Sequence, residues 1–392
     1  MKDMAATLDR TALAEERTQL FKDVFDGKIP KRVPISPSLT IEFAIQYAGK
    51  NLADVQWNHL LLEEVYEKVC QDFISDTNPA AMNLRNPVHY KLLGARNFVM
   101  SSSGFMQHPE VHGLEAEEYD EFIASPYDCI MERILPRIYT ELDTNPAQRA
   151  IVFAKAFKAY YDELFTALGV IGKLTEKYGY ASIGGIELLT EAPFDFVADQ
   201  LRGFKGITGD IRRYPDKVEA ACEAALPLMI KQGMPPYPPT KYGAAFIPLH
   251  MAPYIRPKDF ERFYWPTFKK LVDELAAKGQ PSMLFVEHDW MRYIDYLYEL
   301  PENTRMWFEY GDPKLVKEKL GKKHIISGFY PITLLKTGTK QQCIDKAKEL
   351  IDILAPGGRY YFGFDKGIIT ADSVDLGNLQ AVLEYVAENA HY

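Results

Sequence analysis

Residues 282–312 constrain the fold more than any other stretch, because they hold one unit twice. Two short β-rich runs, 283–287 and 305–309, each end in a carboxylate, Glu287 and Glu309. Between them, residues 291–300 are polar on one side and apolar on the other, the pattern of a helix lying on a sheet. After Glu309, Asp312 is placed to cap a helix with Pro313 in its first turn, Gly321 closes it, and residues 325–329 begin a further strand. Strand, helix, strand, helix, strand means parallel strands joined by crossovers, with both glutamates at carboxyl ends. In a closed parallel barrel those ends share one rim, where active sites are found.

The rest of the chain extends this unit. Strands are expected at 32–36, 72–76, 181–188, 244–250, 282–287, 304–309, 325–329 and 359–364. Helices are expected at 60–70, 194–201, 215–231, 258–278, 340–354 and 376–388, with a helical block over 118–178. With neither GxGxxG nor GxxxxGK[ST] present, the alternation predicts an α/β fold, a (β/α)8 TIM barrel rather than a doubly wound sheet. Residues 1–392 read as one domain. Its N-terminal helical segment, 1–30, carries a Leu13, Leu20, Phe21, Val24, Phe25 stripe suited to crossing the bottom of the barrel. The long irregular stretch 77–118 after the second strand reads as a lid or rim insertion.

Bulk properties narrow the function. A 392-residue chain that is 47% hydrophobic can bury a large core, and a formal charge of −9 without basic clusters argues against nucleic acid as the main partner. No apolar run reaches the length of a membrane span, and residues 1–18 are charged and Ala-rich, unlike a signal peptide. Cys70, Cys129, Cys222 and Cys343 are far apart, which suits a reducing cytoplasm and offers no CxxC metal knuckle. The 24 Tyr and 22 Phe allow a flat apolar ligand as well as core.

Several residues are candidates for chemistry. Glu287 and Glu309 could bind zinc through oxygen, or instead cap the following helices or pair with Arg292 and Lys314. Asp365 follows the last strand and belongs to the same rim, unless it only turns the chain before Gly367. His250 ends the fourth strand as a third ligand, a proton donor or a loop-bonding histidine. His288 follows Glu287 and can reach either the site or the outer helices. His324 starts the seventh strand, on the far rim, which makes it structural. Trp290, Trp307, Tyr310, Phe329, Tyr330 and Tyr361 flank strand ends, where a ring would stack or where they are simply core. Asn83, Arg85, His89, His108 and His112 lie in the insertion and either close over a substrate or are solvated.

The chain also resembles a known family. RVPIS at 32–36, RGFKGITGDIRRYPDKV from Arg202, AFIPLHMAPYIRPKDFERFYWPTFKKLVDEL from Ala245, DPKLVKEKLGKKHIISGFYP from Asp312 and APGGRYYFG from Ala355 are similar to the uroporphyrinogen decarboxylase superfamily. That family is a (β/α)8 barrel with two branches, cofactor-free porphyrinogen decarboxylases and zinc-dependent methyltransferases serving corrinoid proteins. The decarboxylases carry arginines after strand one, whereas PSLTIEFAIQYAG here has none, so a polyanionic tetrapyrrole finds little to grip. The methanogen-type methyltransferases ligate zinc through cysteines. Here Glu287 stands at the first of those positions and Asp365 lies near the last.

This variant resembles the aryl-ether O-demethylases, whose metal site uses carboxylate and histidine. The resemblance implies methyl transfer from an aryl methyl ether to the cobalt(I) of a cobalamin carried by a partner corrinoid protein, docked over the carboxyl rim. It implies zinc on Glu287, Glu309 and Asp365, where oxygen ligands leave the metal more electrophilic than thiolates do. Glu287, His250 and Tyr310 would be catalytic, and Trp290, Phe329, Tyr330, Tyr361 and Asn83 would meet the small aromatic substrate. The alternatives are a cofactor-free decarboxylase-like lyase and a non-catalytic corrinoid-protein- or substrate-binding subunit. A homodimer is left open.

Overall fold

A computed structural model describes residues 2–79, 87–183 and 188–392, with residues 2–8 as backbone alone. At its centre is a five-stranded, all-parallel sheet in chain order: Leu188–Leu189, Ala245–Leu249, Ser282–Val286, Arg305–Phe308 and Ile325–Gly328. Each later pair is joined by helix, as parallel neighbours require. Asp312 caps Pro313–Lys319 by accepting from the Lys314 and Leu315 amides, and Thr339 with Gln342 forms a capping box on Lys340–Leu354. Leu284, Val286, Met306 and Phe308 are buried among the outer helices, so by the period of two Phe285, Glu287, Trp307 and Glu309 share the opposite face.

Three expected strands, 32–36, 72–76 and 359–364, do not form ladders. Residues 33–39 and 360–368 instead meet each other and the sheet through single bridges, Ile326–Tyr360, Ile35–Phe362, Tyr330–Phe364 and Leu39–Ile368. The Asp76 amide donates to Ile35 and the Ala181 amide to Asp76. Pro34 and Pro37 have no N–H to offer a ladder, and Asp72 is still the last residue of the helix Leu62–Asp72. Residues 184–187 of the expected third strand lie outside the described residues.

The long N-terminal helix, Lys2–Phe25, covers the amino ends of the strands. Phe21, Val24 and Phe25 cluster there with Ala181, Ile325 and Tyr361, and the Arg305 guanidinium lies 3.7 Å from the centre of the Phe25 ring. Within 77–118 the chain forms the helix Pro87–Leu93 and a short antiparallel pair, Val99–Met100 with Met106–Gln107. The block that follows ends in the helix Pro146–Tyr178. Among the described residues no helix is long and apolar enough to cross a membrane.

Candidate active site at the carboxyl ends of the strands

The site is assembled around His250, the residue after the strand Ala245–Leu249. Its Nδ1 lies 2.6 Å from Asp199 Oδ2 and its Nε2 lies 3.1 Å from Glu287 Oε1. Burial opposes a charge on the ring, but the hydrogen bonds to Asp199 and then Glu287 outweigh it and raise the imidazole to about 11. His250 is therefore an imidazolium at neutral pH, with both N–H groups donated to carboxylates.

Two further acids hold this arrangement from behind. Asp195 ends Pro193–Asp195 and leads into a wider, π-helical turn, Phe196–Arg202, which carries Asp199. The buried Asp195 carboxyl accepts from the backbone amides of His250 (3.1 Å) and Met251 (2.9 Å) and from the Tyr264 hydroxyl (2.7 Å), which fixes the turn after the strand. Burial and then the nearby Asp199 push this carboxyl up to about 7. Glu191 accepts from Gln200 at 3.0 Å through Oε1, while its buried Oε2 has no hydrogen-bond partner. Burial, then Asp199 and Asp195, raise Glu191 to about 8, so it carries a proton at neutral pH.

A second charge pair lies beside the first. Glu309 accepts from Lys366 Nζ at 2.8 Å and from the His288 amide at 2.9 Å. Burial works against this carboxylate, yet Lys366 and the His288 amide hold it below its usual range, and the bond to Glu309 raises Lys366 in turn. His288 itself has a left-handed backbone (φ 57°) and its Nε2 meets the exposed Tyr254 hydroxyl at 2.7 Å. Asp365 is buried and accepts from the Ile332 amide at 3.1 Å, and burial pushes it up to about 6. One step down the strands from Glu287 and Glu309, the Phe285 and Trp307 rings pack with centroids 4.3 Å apart. The Trp307 indole donates to the Phe364 carbonyl at 2.7 Å, which pins this aromatic pair below the acids.

The expected zinc set is not gathered. Glu287 faces His250, Glu309 faces Lys366, and Asp365 takes a backbone amide. Among the described residues no group of three or more His, Cys, Asp or Glu side chains is placed to hold a metal ion. His250 Nε2 and Glu287 Oε1 offer two donors where a catalytic zinc takes three protein ligands, so these residues do not fit the ion.

Three aromatic expectations are corrected. Trp290 turns into the helix layer beyond its strand and packs, fully buried, on Tyr264, Phe260 and Tyr293. Tyr330 points to the same layer, donates to the Cys343 carbonyl and sits on Phe362 and Phe364. Tyr361 lies at the amino ends, against Phe21 and Phe25. Phe329 (φ 66°) stacks on Phe308, an outer-face residue, at 4.9 Å. Tyr310 is exposed beside Glu309, and Asn83 with Arg85 lies outside the described residues. His324 is buried at the amino end, its Nε2 3.4 Å from the Tyr298 carbonyl.

Sequence reasoning missed Glu191, Asp195, Asp199 and Lys366. A signal existed for two of the acids, since Asp195 and Asp199 stand four apart in PFDFVADQ, on one side of the expected helix 194–201.

Comparison with known proteins gives the family and the fold. The model of the uroporphyrinogen decarboxylase (URO-D) family matches residues 160–389, more than half of the chain. The chain belongs to the URO-D family. The fold of this URO-D family member is also that of a methyltransferase from Methanosarcina mazei, with a TM-score of 0.56 over 95% of this chain and 98% of that one, at 15% identity. None of the curated proteins compared matches the chain.

Proposed function

We propose that this URO-D family member is a methyltransferase that takes the methyl group of an aryl methyl ether and passes it to a corrinoid held by a separate protein. The single bridges of residues 33–39 and 360–368, and the backbone hydrogen bonds linking Ile35, Asp76 and Ala181, support an eight-stranded barrel as the frame, with the acids on its carboxyl rim. The observation that carries the reading is His250, clamped between Asp199 and Glu287 at that rim above the Phe285–Trp307 pair.

Cleaving a methyl ether leaves both bonding electrons on the phenolic oxygen, so catalysis needs positive charge or a proton at that atom. The partner's reduced corrinoid would supply the nucleophile that accepts the methyl carbon. This chain lays the ring on Phe285 and Trp307 and directs the ether oxygen toward His250 Nε2–H or Lys366 Nζ. As the O–CH3 bond breaks, that N–H turns from its carboxylate, Glu287 or Glu309, to the oxygen and gives up its proton there, the product leaves as a phenol, and the neutral donor takes a proton back from water. Glu287 and Asp199 keep the imidazole charged and oriented until then, and charge withdrawal expected of zinc falls to these proton-bearing groups. A cofactor-free lyase acting on a polycarboxylate fits less well, because residues 37–49 hold no arginine to bind its carboxylates.

The test is to incubate the chain with a reduced corrinoid protein and a panel of methoxyarenes, reading phenol release. Release that depends on both components supports the reading. Phenol-free methylation from thioethers or amines, or decarboxylation of an added acid, overturns it.

A further inference from the structure

The clamp on His250 depends on a carboxylate that few contacts of its own hold in place. Among the described residues, the Asp199 side chain bonds to no group but the His250 ring, 2.6 Å away. That side chain is 24% exposed, and the acids Glu191 and Asp195 lie close enough to feel its charge. No side-chain contact stops it from turning out to water. Its place is therefore set by the backbone of the π-helical turn Phe196–Arg202, a geometry rare in helices and frequent at functional sites.

The end of the rim insertion braces that turn. The Leu201 carbonyl accepts from the Gly113 and Leu114 amides at 3.0 and 3.1 Å. Arg202, next along, returns a hydrogen bond to the Leu114 carbonyl through Nη1. Glu110 Oε1 accepts from the Lys205 amide at 3.3 Å. Gly203, at φ 70°, ends the turn where a Cβ would come 2.8 Å from that same oxygen. On its other side the segment is held by Arg137, which donates to the Gly113 carbonyl at 2.8 Å and to both Glu118 oxygens.

A buried charge pair locks the brace. Arg202 Nε donates to Asp210 Oδ2 at 2.7 Å, and the Tyr119 hydroxyl donates to the same oxygen at 2.9 Å. The Arg202 guanidinium also lies 5.7 Å from the centre of the Tyr119 ring. Arg202 is 6% exposed and Asp210 is fully buried. Taking two charges out of water offsets much of their attraction, so such a pair is weak evidence for stability. What it supplies is direction. The guanidinium fork reaches Asp210 and the Leu114 carbonyl at once only with the turn in this position, and an apolar pair of similar volume would fill the space without fixing the turn.

We propose that Arg202 is a positioning residue for His250: with Asp210, Tyr119 and residues 110–118 it holds the π-helical turn so that Asp199 meets the ring. Its consequence for rate rests on the role proposed above for His250, whereas the contact itself is read without any reaction. The Nδ1-bound proton of His250, donated to Asp199, should appear far downfield in proton NMR and exchange slowly with water. Arg202→Met combined with Asp210→Leu and Tyr119→Phe leaves no charge buried there, so its melting temperature should stay within a few degrees of the parent chain. The Nδ1 proton should nevertheless exchange at least about tenfold faster, the loss expected of a slackened charge-assisted bond. Amides of the strand Ser282–Val286 should exchange as in the parent, which a general loosening would not allow. Arg202→Lys keeps the charge but loses the fork, and should quicken the Nδ1 proton less, about threefold. Phenol release by the triple variant should fall about tenfold. No phenol from the parent chain would overturn the reaction and leave the positioning role to the NMR. An Nδ1 proton unchanged in both variants, or quickened only together with the strand amides, overturns the proposal.

Discussion

His250 and His324 sit at opposite ends of the same sheet and have opposite electrical fates. His324 is buried and the His250 side chain is partly exposed, and desolvation alone disfavours charge on each ring. At the carboxyl end Asp199 and Glu287 overcome it and raise His250 to about 11. At the amino end His324 has, among the described residues, no carboxylate partner; its Nε2 meets the Tyr298 carbonyl, with Lys323 and Arg359 nearby, and burial lowers it to about 4. At the amino end Phe21, Phe25 and Tyr361 cluster around a small cavity of about 200 Å³, while the carboxyl end holds ion pairs beside exposed Tyr254 and Tyr310. One end is built to be stable and the other to hold charge.

The largest effect should separate these histidines. His250→Gln is expected to lower phenol release by about 10²–10⁴ in single-turnover assays, the range for a lost proton donor, with the fold intact. His324→Gln, compared per folded molecule, should stay within about threefold of the parent chain. Equal losses in both variants would dissolve the contrast between the two ends.

Asp199→Asn sharpens the cause. It removes the first support of the imidazolium, so the His250 pKa should fall and the alkaline limb of the rate profile should move to lower pH. A profile that does not move means that Asp199 is not what charges the ring. Lys366→Met should cost less, roughly tenfold in rate, since it removes one charge-assisted partner but leaves His250 in place. Its direct check is the Glu309 carboxyl, which should titrate at higher pH in this variant by carbon NMR.

The smallest effect is on stability. Glu191 binds its proton more tightly folded than unfolded, its pKa rising from 4.5 to about 8. Its contribution is therefore fully present below about pH 4.5 and is lost as the pH climbs through about 8. Glu191→Gln, which never ionises, should melt a few degrees higher than the parent chain at pH 9, with a smaller difference at pH 5. An equal difference at both pH values would mean that the carboxyl is not buried as a neutral acid.

Much of the frame is legible from periodicity. Residues 282–328 fold as the strand–helix repeat requires because their signals are local: alternating strands, Asp312 as a cap and Pro313 in the first turn. The weaker strands were harder to place, since residues 33–36 hold proline and pair only through isolated bridges. At the site, Glu287, Glu309, Asp365 and His250 could be placed by strand ends, but their partners could not. The clamp on His250 comes from Asp199, fifty-one residues earlier on a π-helical turn, and no local pattern announces that contact. Trp290, Tyr330 and Tyr361 misled for a related reason: an aromatic at a strand end is equally suited to site or core, and only the direction of the side chain decides.

The central claim is that His250 is a doubly protonated imidazolium held by Asp199 and Glu287. Nitrogen NMR of the histidine-labelled chain, assigned with His250→Gln, measures this directly. Both ring nitrogens should be protonated at pH 8.5, with deprotonation only near pH 11. A neutral ring at pH 8.5, titrating near the ordinary value of about 6.5, or an Nε2 shift that changes on adding zinc, would contradict the account.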